Sequence, residues 1–367
     1  MDTLVELYRV EALPLFQNVT YATRAEAVAC ATGDVVLVQD RRTALVFNRA
    51  FRPEMIVFDG RYQNEQALSA AFGAHLEAVA DIVAAAASGG RVVEIGCGKA
   101  TFLEMLLRRG VQVFGYDPAY EGHHPMVAPR LFDGRERLDA DTIVLRHVLE
   151  HIADPMAFLS TIAAATGGRG RIYIEVPCLD WILARRAWFD IFYEHVNYFR
   201  LGDFARMFGR VHRMGHLFGG QYIHVVADIS SLRTPRWEID AEARVPQDFL
   251  SGLEAIAPLA AGATVWGGAS KGVIFSLMTA RAGGPVASVI DINPAKQRRF
   301  LPCTGLEVLP PEEGLARLPP GGRVLVMNGN YLGEIAALVG DRGTCVAVDA
   351  LAATPEHPPS KTARARA

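Results

Sequence analysis

The feature that most constrains the fold is a regular alternation between residues 91 and 177. Short apolar runs typical of buried strands (RVVEIGCG, VQVFGYD, DTIVLRH and RIYIEVP) alternate with segments of helical apolar spacing such as TFLEMLLRRG and DPMAFLSTIAAA. Strands that alternate with helices form βαβ units in a mostly parallel sheet. The alternation restarts at ATVWGG, near residue 263, so we predict two α/β domains in series.

Changes in this pattern give the domain boundaries. Residues 1–70 mix short strand-like runs with turn residues, and we expect a small irregular leading domain there. We place a central Rossmann-like sheet at 71–231 and a second Rossmann-like domain at 232–353, which opens on a polar, proline-containing stretch typical of a linker. Residues 354–367 are polar and basic with prolines, and this composition predicts a disordered tail.

Composition narrows the range of partners. Half of the residues are hydrophobic and the formal net charge is −3, so the chain has no general attraction for nucleic acid or an anionic membrane, and we expect a small-molecule substrate. No basic and apolar leader follows Met1, and the richest apolar run, LEAVADIVAAAA, is too short to span a bilayer, so we expect a cytoplasmic protein.

The five cysteines are far apart in sequence and form no CxxC pair, which argues against a disulfide framework or a zinc cluster. Composition leaves the oligomeric state open.

The stretch VVEIGCGKATFLEML indicates a cofactor site. Gly96 and Gly98 lie between a strand and a helix, where glycine lets the backbone approach a ligand and the helix start offers unpaired N–H groups. Asp117 ends the next strand, and a carboxylate there can bind the hydroxyls of a ribose. This spacing alone fits either a nicotinamide dinucleotide or S-adenosylmethionine.

Two details favour S-adenosylmethionine. The third glycine of the dinucleotide fingerprint is missing, and Ala100 stands where a methyltransferase pattern usually has glycine. Glu94, in the strand end before the glycines, resembles the E/D-x-G-x-G motif of class I S-adenosylmethionine-dependent methyltransferases. We therefore expect S-adenosylmethionine as the cofactor.

The stretch RHVLEH matches the H-x-x-E-H pattern of inverted zinc proteases through His147, Glu150 and His151. A zinc motif belongs in the middle of a helix, whereas here a strand runs directly into it and a new helix follows at once. RHVLEHIADPMAFL instead resembles the segment after the fourth strand of the same methyltransferase class. That resemblance makes His147 a cofactor-side candidate, and we expect Glu150 and His151 to be structural.

The whole chain resembles the three-part methyltransferase family that includes nucleotide-sugar C-methyltransferases. The phrases that carry the resemblance run in the family's order: LPLFQNV, FNRAFRPEMIVFDGRYQNEQALS, VVEIGCGKATFL, RHVLEHIADP, IEVP, FYEHVNYF, VWGGASKG, VIDINPAKQRRFLPCTG and MNGNYLGEI. The resemblance implies a small zinc-binding leading domain, a central methyltransferase domain and a Rossmann-like C-terminal domain. It also implies a set of residues on the cofactor side: Glu94, Gly96, Gly98, Lys99, Asp117, Pro118 and His147.

The leading domain departs from the family. The family holds zinc there with two cysteine pairs, but Asp40 and Thr43 stand near the second pair, and ELYRVEAL lacks the first. A closed structural zinc site needs four such ligands. We therefore predict no metal in this chain.

The resemblance also assigns the acceptor side of the site to FYEHVNYF. In the family the matching group is associated with proton abstraction and acceptor binding, which points to Tyr193, Glu194 and His195. An imidazole suits a general base near neutral pH. If the segment is extended, Tyr193 and His195 share a face and Glu194 points the other way. Glu194 would then meet the pocket only through a turn, or would support the backbone from behind. Asn197 and Tyr198 are further substrate candidates, although Tyr198 suits core packing equally well.

In the C-terminal domain, VWGGASKGVIF matches neither the P-loop nor the dinucleotide fingerprint, but a helix start with one lysine can hold an anion. The resemblance suggests that this domain binds the nucleotide diphosphate part of a substrate. The candidate contacts follow the ends of successive strands: Lys271, Asp291, Asn293, Lys296, Asn328, Asn330 and Tyr331.

These observations predict an enzyme that methylates carbon in a nucleotide-linked keto-sugar or a similar activated carbonyl compound. The alternatives are O- or N-methylation of another small natural-product precursor and a descendant that binds ligand without turnover. The glycines, Asp117 and His195 speak against the last, since a binding relic needs no base.

Overall fold

The computed structural model describes residues 3–63, 65 and 68–351. Within that range the chain forms three sheets, of four, seven and five strands. The sheets follow one another along the chain in the order of the predicted domains. One short strand that lies in the central domain by sequence pairs with the sheet of the leading domain. The predicted disordered tail, 354–367, lies outside the described residues.

The leading domain is built on antiparallel strands β1 (Leu4–Pro14), β2 (Thr32–Asp40) and β3 (Val46–Asn48). A short helix, α1 (Arg24–Val28), is capped by the Thr23 side chain, which accepts a hydrogen bond from the Glu26 N–H. Asp40 ends β2 and accepts hydrogen bonds from the backbone N–H of Arg42 at 2.9 Å and from its guanidinium at 3.1 Å. The turn in which the second cysteine pair was expected is thus closed by a carboxylate and an arginine.

The central domain contains a seven-stranded sheet in the order β10-β11-β8-β7-β4-β5-β6. The last five strands in this order, from β8 to β6, run parallel to one another, and β10 and β11 form an antiparallel edge. The elements in chain order are α2 (Ala70–Ala87), β4 (Val92–Ile95), α3 (Thr101–Arg108), β5 (Val113–Tyr116), β6 (Val127–Ala128), β7 (Thr142–Arg146), α4 (Pro155–Ala165), β8 (Arg171–Pro177), α5 (Leu179–Ala184), β9 (Asn197–Tyr198), α6 (Leu201–Met207), β10 (Val211–Leu217) and β11 (Tyr222–Asp228).

Helix α2 is long and apolar enough to cross a membrane by length and composition alone. Half of its apolar window is buried inside the protein, as in a core helix. The Ser69 side chain accepts a hydrogen bond from the Phe72 N–H at the start of the helix, and Ser88 adopts a left-handed conformation at its end. The helix packs against β7 and β8 and covers one face of the central sheet.

The C-terminal domain has a five-stranded, fully parallel sheet in the order β14-β13-β12-β15-β16. Together with the central sheet it confirms the predicted α/β fold with two Rossmann-like units. Its elements in chain order are α7 (Ser251–Ala260), β12 (Thr264–Trp266), α8 (Lys271–Arg281), β13 (Ser288–Ile290), β14 (Val308–Leu309), α9 (Pro311–Ala316), β15 (Gly322–Val326), α10 (Leu332–Val339), β16 (Gly343–Ala347) and α11 (Val348–Leu351).

The stretch predicted as a linker packs against the leading domain. The backbone carbonyl of Ala241 accepts hydrogen bonds from the side chains of Gln39, at 2.7 Å, and Arg200, at 2.5 Å. The Ala243 N–H donates to the Gln39 side chain at 2.9 Å. This stretch therefore binds the first two domains together rather than only spanning the gap to the third.

Strand β9 belongs to the central domain in sequence but pairs with β3 of the leading sheet, with Tyr198 opposite Val46. The Tyr198 hydroxyl accepts a hydrogen bond from the Phe192 N–H and donates one to the Phe192 carbonyl, both at 2.9 Å. These two bonds close the backbone of FYEHVNYF into a loop against the leading domain.

We expect Tyr198→Phe to destabilise the protein by about 1–3 kcal/mol, because both buried backbone groups of Phe192 lose their partner. The free energy of unfolding from urea titration measures the loss. Tyr8→Phe is the matched control, since Tyr8 is also buried and the described residues show no hydrogen bond to its hydroxyl. Equal losses in the two variants would contradict the role given to the Tyr198 hydroxyl.

Candidate active site

The glycine loop after β4 adopts the backbone shape that its sequence predicts. Gly96 and Gly98 have φ values of 80° and 55°, and Ala100 has a φ of 67° at the start of α3. A Cβ at Gly96 would lie 2.3 Å from a methyl carbon of Val148, so this position requires glycine for space as well as for conformation. Ala100 keeps the left-handed conformation that explains why related patterns have glycine there.

The Asp117 carboxylate fixes this loop against the end of β5. One carboxylate oxygen accepts a hydrogen bond from the Gly98 N–H at 2.7 Å, and the other accepts one from the Ala119 N–H at 2.8 Å. Burial raises the pKa of Asp117 above its usual value. The carboxylate sits at the carboxyl edge of the parallel sheet, where it can bind the hydroxyls of a ribose.

A cavity of about 620 Å³, the glycine-loop cavity, opens beside Asp117. Every residue expected on the cofactor side lines it: Glu94, Gly96, Gly98, Lys99, Asp117, Pro118 and His147. Burial raises the pKa of Glu94 to about 7, and one of its oxygens has no hydrogen-bond partner within the described residues. A buried acceptor without a partner fits a ligand that brings a polar or cationic group.

A network of buried charges lies under this cavity at the ends of β7 and β8. The Glu175 carboxylate lies 3.4 Å from the Arg146 guanidinium, 2.8 Å from His75 Nε2 and 3.4 Å from His147 Nε2. Burial alone would raise the pKa of Glu175, but the Arg146 charge and the hydrogen bonds of the histidines hold it well below its usual value. Glu175 therefore serves as the anion that fixes the charged groups around it.

His147 lies at the edge of this network with a φ of 51°. Burial alone would lower its pKa, but Glu150, at 3.3 Å from Nδ1, and Glu175 raise it to about 9. An imidazolium so placed is stabilised by the two carboxylates and cannot accept a proton at neutral pH. His147 is therefore unsuited to act as a base.

A second cavity, of about 210 Å³, lies where the three domains meet, and we call it the interdomain cavity. The leading domain contributes Asn18, the central domain contributes His195, and the C-terminal domain contributes Lys271. Four residues line both cavities, which therefore adjoin: Tyr62, Glu65, His147 and His151.

His151 and His195 face each other in the interdomain cavity, with ring centres 4.8 Å apart and planes at 80°. His151 Nδ1 lies 2.9 Å from the Glu194 carbonyl oxygen, so Nδ1 carries the proton and Nε2 remains an acceptor. Burial lowers the pKa of both histidines, that of His195 to well below its usual value. Both imidazoles are therefore neutral at neutral pH.

Glu150 completes this group. Neither oxygen of its buried carboxylate has a hydrogen-bond partner within the described residues, although His147 lies within ion-pair distance. Ligand atoms of Glu150, His151 and His195 lie within 4.8 Å of one another, a donor set that could hold a divalent metal ion. That the chain holds no metal stays a prediction.

The expected roles of Glu150 and His151 need correction. Leu149–His151 is a short 3-10 segment at the end of β7, which agrees with the rejection of a helical zinc motif. However, Glu150 and His151 line the interdomain cavity rather than only bracing the turn. All three residues of the H-x-x-E-H pattern line this cavity, and the sequence could not show that His195 lies beside them.

The alternation considered for FYEHVNYF required an extended segment, and the structure does not show one. The chain bends at Tyr193 and Glu194 instead of running straight, so Phe192 and His195 line the cavity. The Tyr193 hydroxyl accepts a hydrogen bond from the Arg52 N–H at 3.0 Å, and its ring packs over Gly33. Tyr193 lines neither cavity, and the structure therefore places it in the interface with the leading domain.

Glu194 lies behind the cavity wall. Its carboxylate is buried, accepts a hydrogen bond from the Gln17 N–H at 3.4 Å, and has a pKa that burial raises to about 8. Its carbonyl orients His151, so its contribution to the site runs through the backbone. The physical reason is the bend, which turns the Glu194 side chain toward the leading domain.

Asn197 and Tyr198 line neither cavity. The Asn197 side chain donates hydrogen bonds to the carbonyls of Ile152, at 2.6 Å, and Leu149, at 3.3 Å. Tyr198 holds Phe192, as described above. Both residues position the loop that carries His195, in place of the substrate contacts expected for them.

The expected contacts of the C-terminal domain divide into two groups. Lys271, Asp291, Lys296, Asn328 and Tyr331 line the interdomain cavity. Asn293 and Asn330 do not line it. Their carboxamides bind the backbone instead, with Asn293 accepting from the Ala295 N–H and Asn330 donating to the Phe218 carbonyl.

Both cavity lysines are already paired. Lys271 Nζ lies 3.1 Å from Asp190 and 4.5 Å above the centre of the Trp181 ring. Lys296 Nζ lies 3.8 Å from Asp291. Sequence reasoning missed Asp190, which stands in an apolar stretch, WFDIF, without any motif.

Comparison with known proteins agrees with this arrangement. Residues 64–211 match a family model described as a methyltransferase domain. This stretch contains the glycine loop, Asp117, the charged network and His195.

Curated relatives match shorter parts of the chain. A ubiquinone biosynthesis O-methyltransferase from Rhodopseudomonas palustris is 33% identical over 107 residues, and these cover 26% of this chain and 42% of the relative. C-methyltransferase NovU from Streptomyces niveus is 29% identical over 137 residues, covering 33% of this chain and 32% of the relative. The chain thus spans less than half the length of these relatives.

Among solved structures, a 1,6-didemethyltoxoflavin-N1-methyltransferase from Burkholderia thailandensis, bound to S-adenosylhomocysteine, has 16% sequence identity and a TM-score of 0.32. The alignment covers 42% of this chain and 77% of that one.

We expect Asp117→Ala to weaken binding of S-adenosylmethionine at least about tenfold, because a charged hydrogen-bond acceptor for the ribose is lost and the Gly98 N–H loses its partner. Isothermal titration calorimetry of the full chain measures the affinity. Asp139→Ala is the control, since Asp139 is largely exposed and pairs with Arg91 on the surface. Unchanged affinity in Asp117→Ala would refute the ribose assignment.

Proposed function

We propose that this chain methylates carbon in an activated carbonyl compound, such as a nucleotide-linked keto-sugar, with S-adenosylmethionine as methyl donor and His195 as general base. The proposal includes membership of the three-domain family that contains nucleotide-sugar C-methyltransferases. One observation carries it: His195 is a buried, neutral imidazole in a cavity that adjoins the glycine-loop cavity.

The two cavities divide the work of the reaction. The residues of the glycine-loop cavity would hold the cofactor, with Asp117 at the ribose. Bound there, S-adenosylmethionine supplies an electrophilic methyl group on a sulfonium. Because four residues line both cavities, an acceptor in the interdomain cavity would lie next to the methyl group, as direct transfer between two bound ligands requires.

His195 supplies the step that a carbon acceptor needs. A C–H bond next to a carbonyl must lose its proton before the carbon becomes nucleophilic, and His195 accepts that proton. The low pKa of His195 keeps the imidazole neutral at neutral pH, with one ring nitrogen able to accept a proton, although it also makes His195 a weaker base. His151, at 4.8 Å between ring centres, offers a second neutral imidazole beside it.

The charged residues of the interdomain cavity affect which acceptors can bind there. Lys271 and Lys296 provide positive charge on the side of the C-terminal domain, where a diphosphate would lie under this proposal. Each is paired with a buried carboxylate, so an anionic acceptor would have to compete with Asp190 and Asp291. Uncharged carbonyl compounds are therefore part of the acceptor class to be tested.

Methylation of oxygen is the second candidate, and the similarity to a ubiquinone biosynthesis O-methyltransferase favours it. The same His195 would then take the proton of a hydroxyl group. An amine acceptor would use the site in the same way. A descendant without turnover is disfavoured because a protein that only binds its ligand has no need of a general base.

The acceptor is identified by incubating the full chain with S-adenosylmethionine carrying a ¹³C-labelled methyl group and a panel of nucleotide-linked keto-sugars, uncharged ketones and phenols. We expect label in a keto-sugar, with a methyl carbon shift typical of a C–C bond. A shift typical of an O–CH₃ group would support the O-methylation candidate instead. Absence of label from every acceptor together with tight cofactor binding would favour the descendant without turnover.

We expect His195→Ala to reduce turnover at least about a hundredfold while leaving the affinity for S-adenosylmethionine unchanged, because general-base catalysis contributes a factor of this size. Turnover of the identified acceptor and calorimetric cofactor binding measure the two effects. His212→Ala is the control, since His212 lies on the surface and pairs with Asp228. Full turnover in His195→Ala would show that His195 is not the base.

Two further measurements separate a base from a metal ligand. Dialysis against a chelator should leave turnover unchanged if His195 acts as a base, and loss of turnover that zinc or manganese restores would assign the histidines to a metal. The low pKa of His195 also predicts that the base stays competent below a pH of about 6.5, where an exposed histidine would be protonated. An acid limb at or above that pH in wild type, shifted by His195→Gln, would contradict the burial argument.

A further inference from the structure

Two cysteines that are far apart in sequence meet at the interface between the leading and C-terminal domains. Cys30 follows α1, and Cys303 lies in the LPCTG loop between β13 and β14. Their sulfur atoms are 3.6 Å apart, and both thiols are free and partly exposed. The wide sequence spacing argued against disulfides, and only the fold could show this pair.

The backbones on both sides hold this pair in place. Tyr21 and Phe300 form an antiparallel bridge with N–H to carbonyl distances of 3.0 and 2.9 Å. The Cys303 N–H donates to the Ala27 carbonyl at 2.8 Å. Because these bonds fix both segments that carry the thiols, the sulfur atoms are neighbours through the docking of the two domains.

The surroundings make the two thiols unequal. A hydrogen bond with the Cys303 thiol lowers the pKa of Cys30 to about 7, and the same contact raises the pKa of Cys303. The contact therefore favours the thiolate of Cys30, and the thiolate is the form that reacts with oxidants. Cys303 stays protonated beside it.

We propose that Cys30 and Cys303 are a peroxide-sensitive modification site that closes a disulfide between the leading and C-terminal domains. The Cys30 thiolate attacks hydrogen peroxide, the O–O bond breaks, and hydroxide leaves as Cys30 becomes a sulfenic acid. The Cys303 sulfur then displaces the sulfenic oxygen, which leaves as water with the thiol proton. Two thiols are oxidised to one disulfide while one peroxide is reduced. The sulfur atoms must approach by about 1.5 Å, which side-chain rotation can provide.

The disulfide would fix one wall of the interdomain cavity. Ser270, in the glycine turn of the C-terminal domain, donates from its N–H to the Gln17 carbonyl and from its hydroxyl to Asn18, both at 3.2 Å. Asn18 and Ser270 both line the cavity. Oxidation would hold this wall together covalently, whichever reaction the site performs, so the inference does not rest on the proposed acceptor.

The test uses the full chain, treated with a small excess of hydrogen peroxide and digested without reductant. Peptide mass spectrometry should find a peptide containing Cys30 linked to one containing Cys303, and dithiothreitol should release both. We expect the oxidised protein to unfold at a temperature higher by about 3 °C or more than the reduced protein, because the link constrains the unfolded chain. Amide hydrogen exchange at residues 17–21 should slow in the oxidised protein.

Variants decide between this pair and general oxidation. Cys303→Ser should abolish the linked peptide and the rise in unfolding temperature, whereas Cys345→Ser should keep both. Cys345 is also partly exposed, and the described residues place no other thiol against it. Five free thiols after treatment, a link to any other cysteine, or a sulfinic acid on Cys30 in place of the link would each overturn the proposal.

Discussion

The position of His195 depends on one clamp, the pair of hydrogen bonds between the Tyr198 hydroxyl and the backbone of Phe192. The clamp closes a loop whose ends are tied to different domains. The Val196 N–H donates to the Glu150 carbonyl at the end of β7, and the Val196 carbonyl accepts from Asn48 in the leading sheet. Because these contacts fix the loop at three points, its backbone holds His195 in the cavity wall. The His195 ring therefore needs no hydrogen bond of its own to orient it.

The second constraint is electrostatic and comes from a network of buried charged residues. Parallel strands β4, β7 and β8 end side by side, so they bring Glu94, Arg146 and Glu175 into one buried region. An unpaired charge there would cost several kcal/mol, and Glu175 is therefore surrounded by Arg146 and the imidazoles of His75 and His147. The same network makes His147 cationic. It thereby divides the histidines of the site into one fixed cation and the neutral pair His151 and His195.

The fold and the cofactor side could be predicted because both follow from local patterns. Alternating strands and helices specify a parallel sheet, and a glycine loop before a helix with an acidic residue after the next strand specifies the ligand edge, as Gly96 and Asp117 show. The acceptor side could not be predicted in the same way. Side-chain alternation in FYEHVNYF assumed an extended chain, but the bend at Tyr193 replaces Tyr193 with Phe192 at the cavity. Long-range contacts, such as that of His151 with His195, leave no trace in sequence spacing.

The leading domain is stabilised at the turn after β2 by polar side chains. This turn has an Asp40–Arg42 ion pair at its surface end and Gln39 at its buried end. Gln39 binds Ala44 within the domain and Ala241 and Ala243 in the stretch that follows the central domain. A metal site would stabilise this sheet from within, whereas these bonds stabilise it through its neighbours. The leading domain therefore depends on its docked position, and the same docking brings Asn18 to the cavity and Cys30 to Cys303.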